Sequence, residues 1–114
     1  MLRSTRLALT ALLSLAFLYY GLRKLTGDPR DVMLYAELGF GQWIRFVTGS
    51  VETFGALALW PALTARWAAL VLTGTMVTGL SAITTFTSLP FAHLVLLLIA
   101  TLVLSALHWV PRLR

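Results

Sequence analysis

Residues 91–109 read FAHLVLLLIATLVLSALHW, an apolar run without lysine, arginine, aspartate or glutamate. A helix of about 20 such residues spans the hydrocarbon layer of a bilayer. Three similar runs precede it, at about residues 5–25, 43–61 and 65–86. The pattern therefore predicts an all-α integral membrane protein, a four-helix bundle in which residues 1–114 form a single four-span transmembrane domain.

The composition excludes an ordinary water-soluble domain. Of the 114 residues, 59% are hydrophobic and 11% are charged, whereas soluble domains average about 45–50% and about 25%. The net charge is +5, but the cations are scattered at the ends of the apolar runs, so we expect no nucleic-acid partner. Because cysteine is absent, the chain itself offers no disulfide, thiolate chemistry or cysteine-ligated metal site.

Turn residues and prolines separate the apolar runs. The first run follows two arginines, as in a signal peptide, but residues 19–21 form no cleavage pattern, so we interpret it as a retained span. Pro61 should end the second run because proline cannot continue a helix. Thr64 is a candidate cap for the third run, and Ser88 and Pro90 mark the turn before the fourth.

The longest polar stretch, residues 23–39, lies between the first two spans. Asp28 is a favoured N-cap residue, and Pro29 suits the first position of a helix. Gly39 suits the position just beyond a helix end. The stretch therefore predicts a short amphipathic or reentrant helical segment between spans one and two.

Aromatic and basic residues predict the orientation of the bundle. Tryptophan and tyrosine concentrate at the two membrane surfaces, and cytoplasmic segments carry more arginine and lysine. The aromatic belt on the side of the termini consists of Trp60, Trp67 and Trp109, and the opposite belt of Tyr19, Tyr20, Trp43, Phe86 and Phe91. The cations on the side of the termini are Arg3, Arg6, Arg66, Arg112 and Arg114, against Arg23, Lys24, Arg30 and Arg45 opposite. We expect both termini in the cytoplasm.

Glu52 is the most informative residue, because it lies about 13 Å of helix rise inside the second span. A carboxylate near the centre of a span costs about 2.5–3.5 kcal/mol, so it should face the bundle interior. Lys24 ends the first span on the same side of the membrane. We predict a polar intramembrane cluster, and two interpretations stay open: an ion pair that fixes how two spans dock, or a pocket for a lipid headgroup, a quinone oxygen or a proton. Its predicted members are Tyr20, Lys24, Gln42, Arg45 and Glu52.

The third span carries a dense run of small and hydroxyl residues between Thr73 and Thr85. Small residues let helices approach closely, so we interpret this run chiefly as packing inside the bundle. The spacing of Gly74 with Thr78, and of Thr75 with Gly79, also allows a homo-oligomer.

His93 and His108 lie near opposite ends of the fourth span, about 22 Å apart along a helix, so they cannot ligate one metal ion together. His93 joins the predicted cluster because it lies on the side of Glu52 and can titrate near neutral pH. The chain shows no phosphate-binding loop, nucleophile with a base or metal-ligand spacing. We therefore predict no self-sufficient catalytic site and assign no catalytic or metal-binding residue.

The runs Tyr20-Gly21-Leu22-Arg23-Lys24 and Gly49-Ser50-Val51-Glu52-Thr53-Phe54-Gly55 resemble the DoxX-like family of small four-span membrane proteins. Relatives show G-x-x-K at the end of the first span and G-x-x-E-x-x-G/A in the second, and Arg66 matches an arginine that opens the third. The resemblance implies a multi-pass protein of the inner (cytoplasmic) membrane. In some relatives such a protein is a subunit of a quinone-linked oxidoreductase acting on sulfur compounds or thiols.

Two functional hypotheses follow. In the first, the chain is a membrane subunit that binds quinone or lipid near Glu52 and Lys24 and serves a soluble or membrane oxidoreductase partner. In the second, it is a non-catalytic membrane anchor or assembly module, a role that other members of the family have. A small transporter or channel is less favoured, because four short spans leave little room for a pathway.

Overall fold

The computed structural model describes residues 2–87 and 90–110. Ser88, Pro111, Arg112 and Arg114, which the sequence analysis used, lie outside the described residues. Within the described ranges the chain is all-α, and its helices are α1 (Leu2–Thr26), α2 (Pro29–Leu38), α3 (Trp43–Ala58), α4 (Ala65–Phe86) and α5 (Ala92–Trp109).

Three of these helices are long and apolar enough to cross a membrane, namely α1, α4 and α5. Large apolar side chains point away from the protein along them: Leu15 is 68% exposed, Leu96 is 69% exposed and Val71 is 53% exposed. Such continuous apolar exposure suits lipid rather than water.

The second predicted span is shorter than expected. Helix α3 has 16 residues, about 24 Å of rise at 1.5 Å per residue, against about 30 Å of hydrocarbon. It ends at Ala58 rather than near residue 61. Pro61 accounts for the early end, because a residue before proline is driven out of the helical conformation. A fourth crossing therefore stays a prediction.

Neighbouring long helices run antiparallel. Helix α1 packs along α3, with Gly21 near Gly49 at one end and the Ser14 hydroxyl donating to the Ala56 carbonyl at 2.9 Å further along. Helix α4 packs along α5, where the rings of Trp67 and Trp109 meet edge to face at 4.9 Å. Helix α3 also contacts α4, and α1 also contacts α5, so the two antiparallel pairs pack against each other.

The packed core lies towards the end that holds both termini. It draws side chains from the four long helices and from the turn after α3, and consists of Leu13, Phe17, Ala56, Leu59, Ala68, Ala69, Leu72, Met76 and Leu104. In α5 the buried residues all belong to the second half, from Thr101 to Leu107. The other end of the bundle is therefore less tightly filled, and α2 lies there against α1, α3 and α4.

Helix α2 begins and ends as the sequence predicts. Asp28 is the N-cap, and its carboxylate accepts from the Arg30 backbone N–H at 2.9 Å and from the Arg30 guanidinium at 3.0 and 3.1 Å. These hydrogen bonds lower the pKa of Asp28 to about 2. Pro29 starts the helix, and Gly39 ends it with a φ of +80°, a conformation that favours glycine. Whether α2 is reentrant or lies in the interface stays a prediction.

Thr64 precedes α4 as predicted, but its side chain does not cap that helix. The Thr64 hydroxyl instead donates to the Ala58 carbonyl at 2.7 Å. The terminal carbonyls of a helix need partners as much as the first N–H groups do. Thr64 therefore stabilises the turn from α3 to α4 by donating a hydrogen bond to a terminal carbonyl of α3.

Candidate functional site

A cavity of about 990 Å³ opens where the four long helices are less tightly packed, beside α2. Its charged and polar lining lies close to α2, while α4 and α5 contribute a mainly apolar wall. The polar lining residues include Tyr20, Arg23, Lys24, Asp31, Tyr35, Thr48, Glu52 and His93, and the apolar ones include Phe17, Val47, Val51, Val71, Leu94 and Leu97. The cavity is therefore amphiphilic, with a charged head region and a long apolar body.

A buried ion pair joins α1 to α3 at this wall. Lys24 Nζ lies 3.0 and 3.1 Å from the two carboxylate oxygens of Glu52. The Lys24 side chain is 11% exposed and that of Glu52 is 2% exposed. A charge buried in apolar surroundings is tolerated only with such a partner, so the ion pair joins α1 to α3 at this wall of the cavity.

Glycines allow the two charged helices to lie so close. A Cβ added to Gly49 would lie 2.9 Å from Lys24 Cβ and 3.0 Å from the Gly21 carbonyl oxygen. A Cβ added to Gly21 would lie 2.9 Å from the Gly49 carbonyl oxygen. Helix backbones in contact at this spacing exclude any larger residue. The register set by Gly21 and Gly49 places Lys24 beside Glu52.

A second ion pair, which the sequence reasoning missed, links α1 to α2. The Arg23 guanidinium donates to both carboxylate oxygens of Asp31, at 3.0 and 3.2 Å. Asp31 is buried although its helix is short and polar. A sequence pattern could have found the burial of Asp31 but not its partner, since Asp31 and Tyr35 are four residues apart and share one helix face. That face is the one that α2 buries.

Tyr20 and His93 lie at the same end of the cavity. Their rings stack with centroids 5.9 Å apart, which joins α1 to the start of α5. Cations flank the Tyr20 ring, with the Arg23 guanidinium 5.3 Å and Lys24 Nζ 5.8 Å from its centroid. The structure thus brings Tyr20, Arg23, Lys24 and His93 into one continuous cluster on the cavity wall.

Arg45 and Gln42, which were predicted for the same cluster, bond elsewhere. The Arg45 guanidinium donates to the Gln42 side chain at 2.9 Å and to the Lys24 backbone carbonyl. The Gln42 amide donates to the Val32 carbonyl at 3.0 Å. Neither residue is among the described residues that line the cavity. These hydrogen bonds tie the segment between α1 and α3 to the end of α1 and to α2.

Tyr35 and Thr48 are further polar lining residues that the sequence reasoning did not assign to the site. Burial raises the pKa of the Tyr35 phenol, so the group stays a neutral hydroxyl that can donate a hydrogen bond. Thr48 lies on the same face of α3 as Glu52, four residues earlier. Both residues add hydrogen-bonding capacity beside the ion pairs.

Only part of the small-residue run of α4 packs against another helix, where the Thr73 and Ser105 hydroxyls lie 3.2 Å apart between α4 and α5. A Cβ added to Gly74 or Gly79 would meet no atom of the described residues within 4 Å. The hydroxyls of Thr75 and Thr78 donate to carbonyls of their own helix, at 3.0 and 2.9 Å. Gly74, Thr75, Thr78 and Gly79 line the cavity instead. Small side chains here leave space because α4 is held away from α1 and α3.

Comparison with known proteins agrees with the resemblance seen in the sequence. The sequence profile of the DoxX-like family matches residues 8–109. The chain belongs to the DoxX-like family. Together with the three long apolar helices, this membership makes it a small multi-pass membrane protein. No curated protein and no solved structure matches the chain.

In this DoxX-like protein, the residues of the two family motifs lie at one helix contact. Gly21 and Gly49 set the close approach of α1 to α3, and Lys24 and Glu52 form the ion pair beside it. Gly55 faces α4, where an added Cβ would lie 2.8 Å from a Leu72 methyl carbon. The two short motifs therefore describe a single structural unit, the docked pair of α1 and α3 with its buried charges.

Proposed function

We propose that the protein is a membrane subunit of a quinone-linked oxidoreductase system and binds quinone in the amphiphilic cavity. The observation that carries this proposal is a cavity of about 990 Å³ with a buried Lys24–Glu52 pair at its polar end. That volume is at the upper end of the roughly 300–1,000 Å³ usual for small-molecule sites. An apolar body with a polar head suits a ring that carries a hydrocarbon tail.

The proposal includes a bundle of four spans in the inner membrane, with both termini cytoplasmic. Helix α3 supports this arrangement because it contacts both α1 and α4 and buries its polar face among the helices. Its outward face is apolar, with Phe54 69% exposed and Leu57 54% exposed. Arg3, Arg66 and His108 line one pocket, so the start of α1 and the end of α5 lie at one end of the bundle. In this arrangement α2 lies in the opposite interface.

The polar lining fits a quinone head. Quinone carbonyl oxygens are hydrogen-bond acceptors, and the head region offers donors in the Lys24 ammonium, the His93 imidazole and the Tyr35 hydroxyl. An ammonium has three N–H donors, and the two contacts of Lys24 with Glu52 occupy two of them. A bound quinone would supply the two-electron chemistry that the side chains of this chain lack.

Within this proposal, Glu52 and Lys24 have complementary roles. Glu52 is placed to accept a proton at a carboxylate oxygen, because its side chain lines the cavity. Lys24 balances the negative charge of the carboxylate before that proton arrives and after it leaves. The Arg23–Asp31 pair borders the polar end of the cavity on the side of α2.

The test uses Glu52→Gln, with Glu37→Gln as the matched control because Glu37 is exposed on α2 and does not line the cavity. Glutamine keeps one acceptor for Lys24 but cannot balance its charge or release a proton. Quenching of tryptophan fluorescence by a decyl-tailed benzoquinone should show binding about tenfold weaker in Glu52→Gln, a loss of ~1.4 kcal/mol. In membranes from cells that lack this protein, expression of the Glu52→Gln variant should not restore quinone reduction.

Two results would reject the proposal. One is equal affinity for the quinone, and unchanged quinone reduction, in Glu52→Gln and in the wild type. The other is equal binding of decanol and of the decyl-tailed quinone, because the cavity would then recognise a hydrocarbon chain alone.

The second candidate function is a non-catalytic anchor or assembly module. The small side chains of α4 favour it, because none of the described residues fills the space beside Gly74 and Gly79. A helix from a partner, or from a second copy of this chain, could lie there. Affinity purification in mild detergent should then return a stoichiometric partner or a homo-oligomer, and recovery of the lone chain would count against this role.

A further inference from the structure

A second pocket, of about 530 Å³, lies at the end of the bundle opposite α2. Its charged lining residues are all arginines: Arg3 and Arg6 from the start of α1, and Arg66 from the start of α4. Its other walls are largely apolar and consist of Leu7, Leu59, Trp60, Ala62, Leu63 and Ala65, with Thr10 and His108 as polar members. The pocket therefore combines positive charge with an apolar surface.

The three arginines have no acidic side chain near them. The four acidic residues of the chain are Asp28, Asp31, Glu37 and Glu52, and all of them lie on α2, at its cap or on the face of α3 that lines the first cavity. The ion pairs of the described residues join Arg23, Lys24 and Arg30 to those carboxylates. Among the described residues, the positive charge of the second pocket therefore has no carboxylate partner and is available to an anion from outside the chain.

Arg66 is held in place for such an anion. Its guanidinium lies 5.5 Å from the ring centroid of Trp67 and 4.9 Å from that of Trp109. The Trp109 indole donates to the Arg66 backbone carbonyl at 3.0 Å, which fixes the indole relative to α4. A guanidinium stacked on aromatic rings keeps its N–H edges available for a planar or tetrahedral oxyanion. Less side-chain entropy is then lost on binding.

The position of the pocket identifies the class of anion. Trp60, Trp67 and Trp109 cluster at this end of the helices, where tryptophan marks the level of lipid headgroups. Leu7 on the pocket wall is 61% exposed, so it faces the acyl chains of adjacent lipid. A pocket of about 530 Å³ is also much larger than inorganic phosphate requires. Basic pockets between spans bind phosphorylated lipid headgroups in other membrane proteins.

We propose that this pocket binds an anionic phospholipid, with the lipid phosphate between Arg6 and Arg66 and an acyl chain along Leu7. Arg3 adds positive charge at the mouth. Binding is independent of the quinone proposal, since the two cavities share no lining residue. The expected role of the bound phospholipid is to hold the start of α1 against the turn between α3 and α4.

The test measures lipid retention by the full chain purified in a non-ionic detergent. Native mass spectrometry and thermal unfolding are recorded with added phosphatidylglycerol, phosphatidylcholine or inorganic phosphate. The wild type should retain phosphatidylglycerol and unfold at a higher temperature with it, but not with the other two additions. The double variant Arg6→Gln/Arg66→Gln should bind phosphatidylglycerol about tenfold less tightly or worse, because both charged partners of the phosphate are removed.

Arg30→Gln is the matched control, because it removes one positive charge at the other end of the bundle and should leave phosphatidylglycerol retention unchanged. Arg3→Gln, at the exposed start of α1, should show a smaller loss in the same direction and replaces the double variant if that variant does not fold. Equal retention of phosphatidylcholine, equal stabilisation by inorganic phosphate, or an equal loss of retention in Arg30→Gln would each overturn the proposal.

Discussion

Glu52 keeps only 2% of its side chain exposed, and its one ion-pair partner among the described residues is Lys24. Removing one member of a buried pair leaves the other as an uncompensated charge, which costs about 3–5 kcal/mol. Replacing both members by groups of similar shape avoids that cost. The stability effects of the two positions should therefore be strongly non-additive.

We predict that Lys24→Met destabilises the protein by about 3–5 kcal/mol and that Lys24→Met/Glu52→Gln recovers a large part of this loss. Helical content during thermal unfolding in detergent measures all members of the double-mutant cycle. Losses that simply add would show that the two charges do not depend on each other.

The depressed pKa of Asp28 predicts how the stability of the α2 cap depends on pH. Its pKa falls from 3.8 to about 2 because Arg30 donates hydrogen bonds to its ionised form. A carboxyl with a depressed pKa in the folded state stabilises that state above its unfolded pKa of about 3.9. The contribution is lost as the pH falls towards 2. The cap of α2 should therefore weaken only between about pH 4 and pH 2.

Carboxyl carbon NMR checks this prediction, with a midpoint for Asp28 near pH 2 in the wild type. In Arg30→Gln the midpoint should move up towards the ordinary aspartate value, because the guanidinium hydrogen bonds are lost. The same midpoint in both proteins would mean that Arg30 does not determine the acidity of Asp28.

At the scale of helices, glycine has opposite roles in α3 and α4. Gly49 lies where α1 and α3 touch, and an added Cβ would lie 2.9 Å from Lys24 Cβ. Gly74 has open space beside it among the described residues. The same substitution should therefore have opposite signs at the two positions.

We predict that Gly49→Ala destabilises the protein by about 1–3 kcal/mol through overpacking. Gly74→Ala should stabilise it by up to about 1 kcal/mol, since alanine is the better helix former. Thermal or denaturant unfolding in detergent gives both values. Equal effects at the two positions would contradict the contact between α1 and α3 described here.

At the scale of the whole molecule, the absence of cysteine provides a clean test of the four-span topology. Ser4 and Leu63 lie at the end of the bundle that holds the termini, and Arg30 lies at the other end. All three are exposed. In intact cells, a membrane-impermeant maleimide should label Arg30→Cys but should label Ser4→Cys and Leu63→Cys only after lysis.

The labelling pattern also tests whether the short helix α3 crosses the membrane. If α3 did not cross the membrane, Leu63→Cys would react in intact cells together with Arg30→Cys. The opposite pattern at all three positions would place the termini outside the cytoplasm.

The cavity should tolerate filling without loss of the fold. Gly79→Leu adds a side chain where nothing of the described chain lies within 4 Å of a Cβ. We predict retained helical content and stability, together with at least about tenfold weaker binding of the decyl-tailed benzoquinone. Val77→Leu is the control, because Val77 faces outward, 49% exposed, and does not line the cavity. Unchanged quinone binding in Gly79→Leu would place the ligand elsewhere.

Local sequence pattern determined much of the architecture. The long apolar runs determine the helices α1, α4 and α5, because lipid accepts only backbone whose hydrogen bonds are satisfied internally. Asp28, Pro29 and Gly39 determine both ends of α2, since capping depends on neighbouring residues alone. The depth of Glu52 in an apolar run likewise required that its carboxylate turn inward.

Only the tertiary structure decided which groups meet and where space is left. Asp31 pairs with Arg23, and Arg45 bonds to the Lys24 carbonyl, because the turns around α2 bring together groups that no local spacing relates. Gly49 packs against a helix whereas Gly74 borders a cavity, although both are small residues in apolar helices. The difference arises from how far the helices separate along their length, which depends on all of their contacts at once.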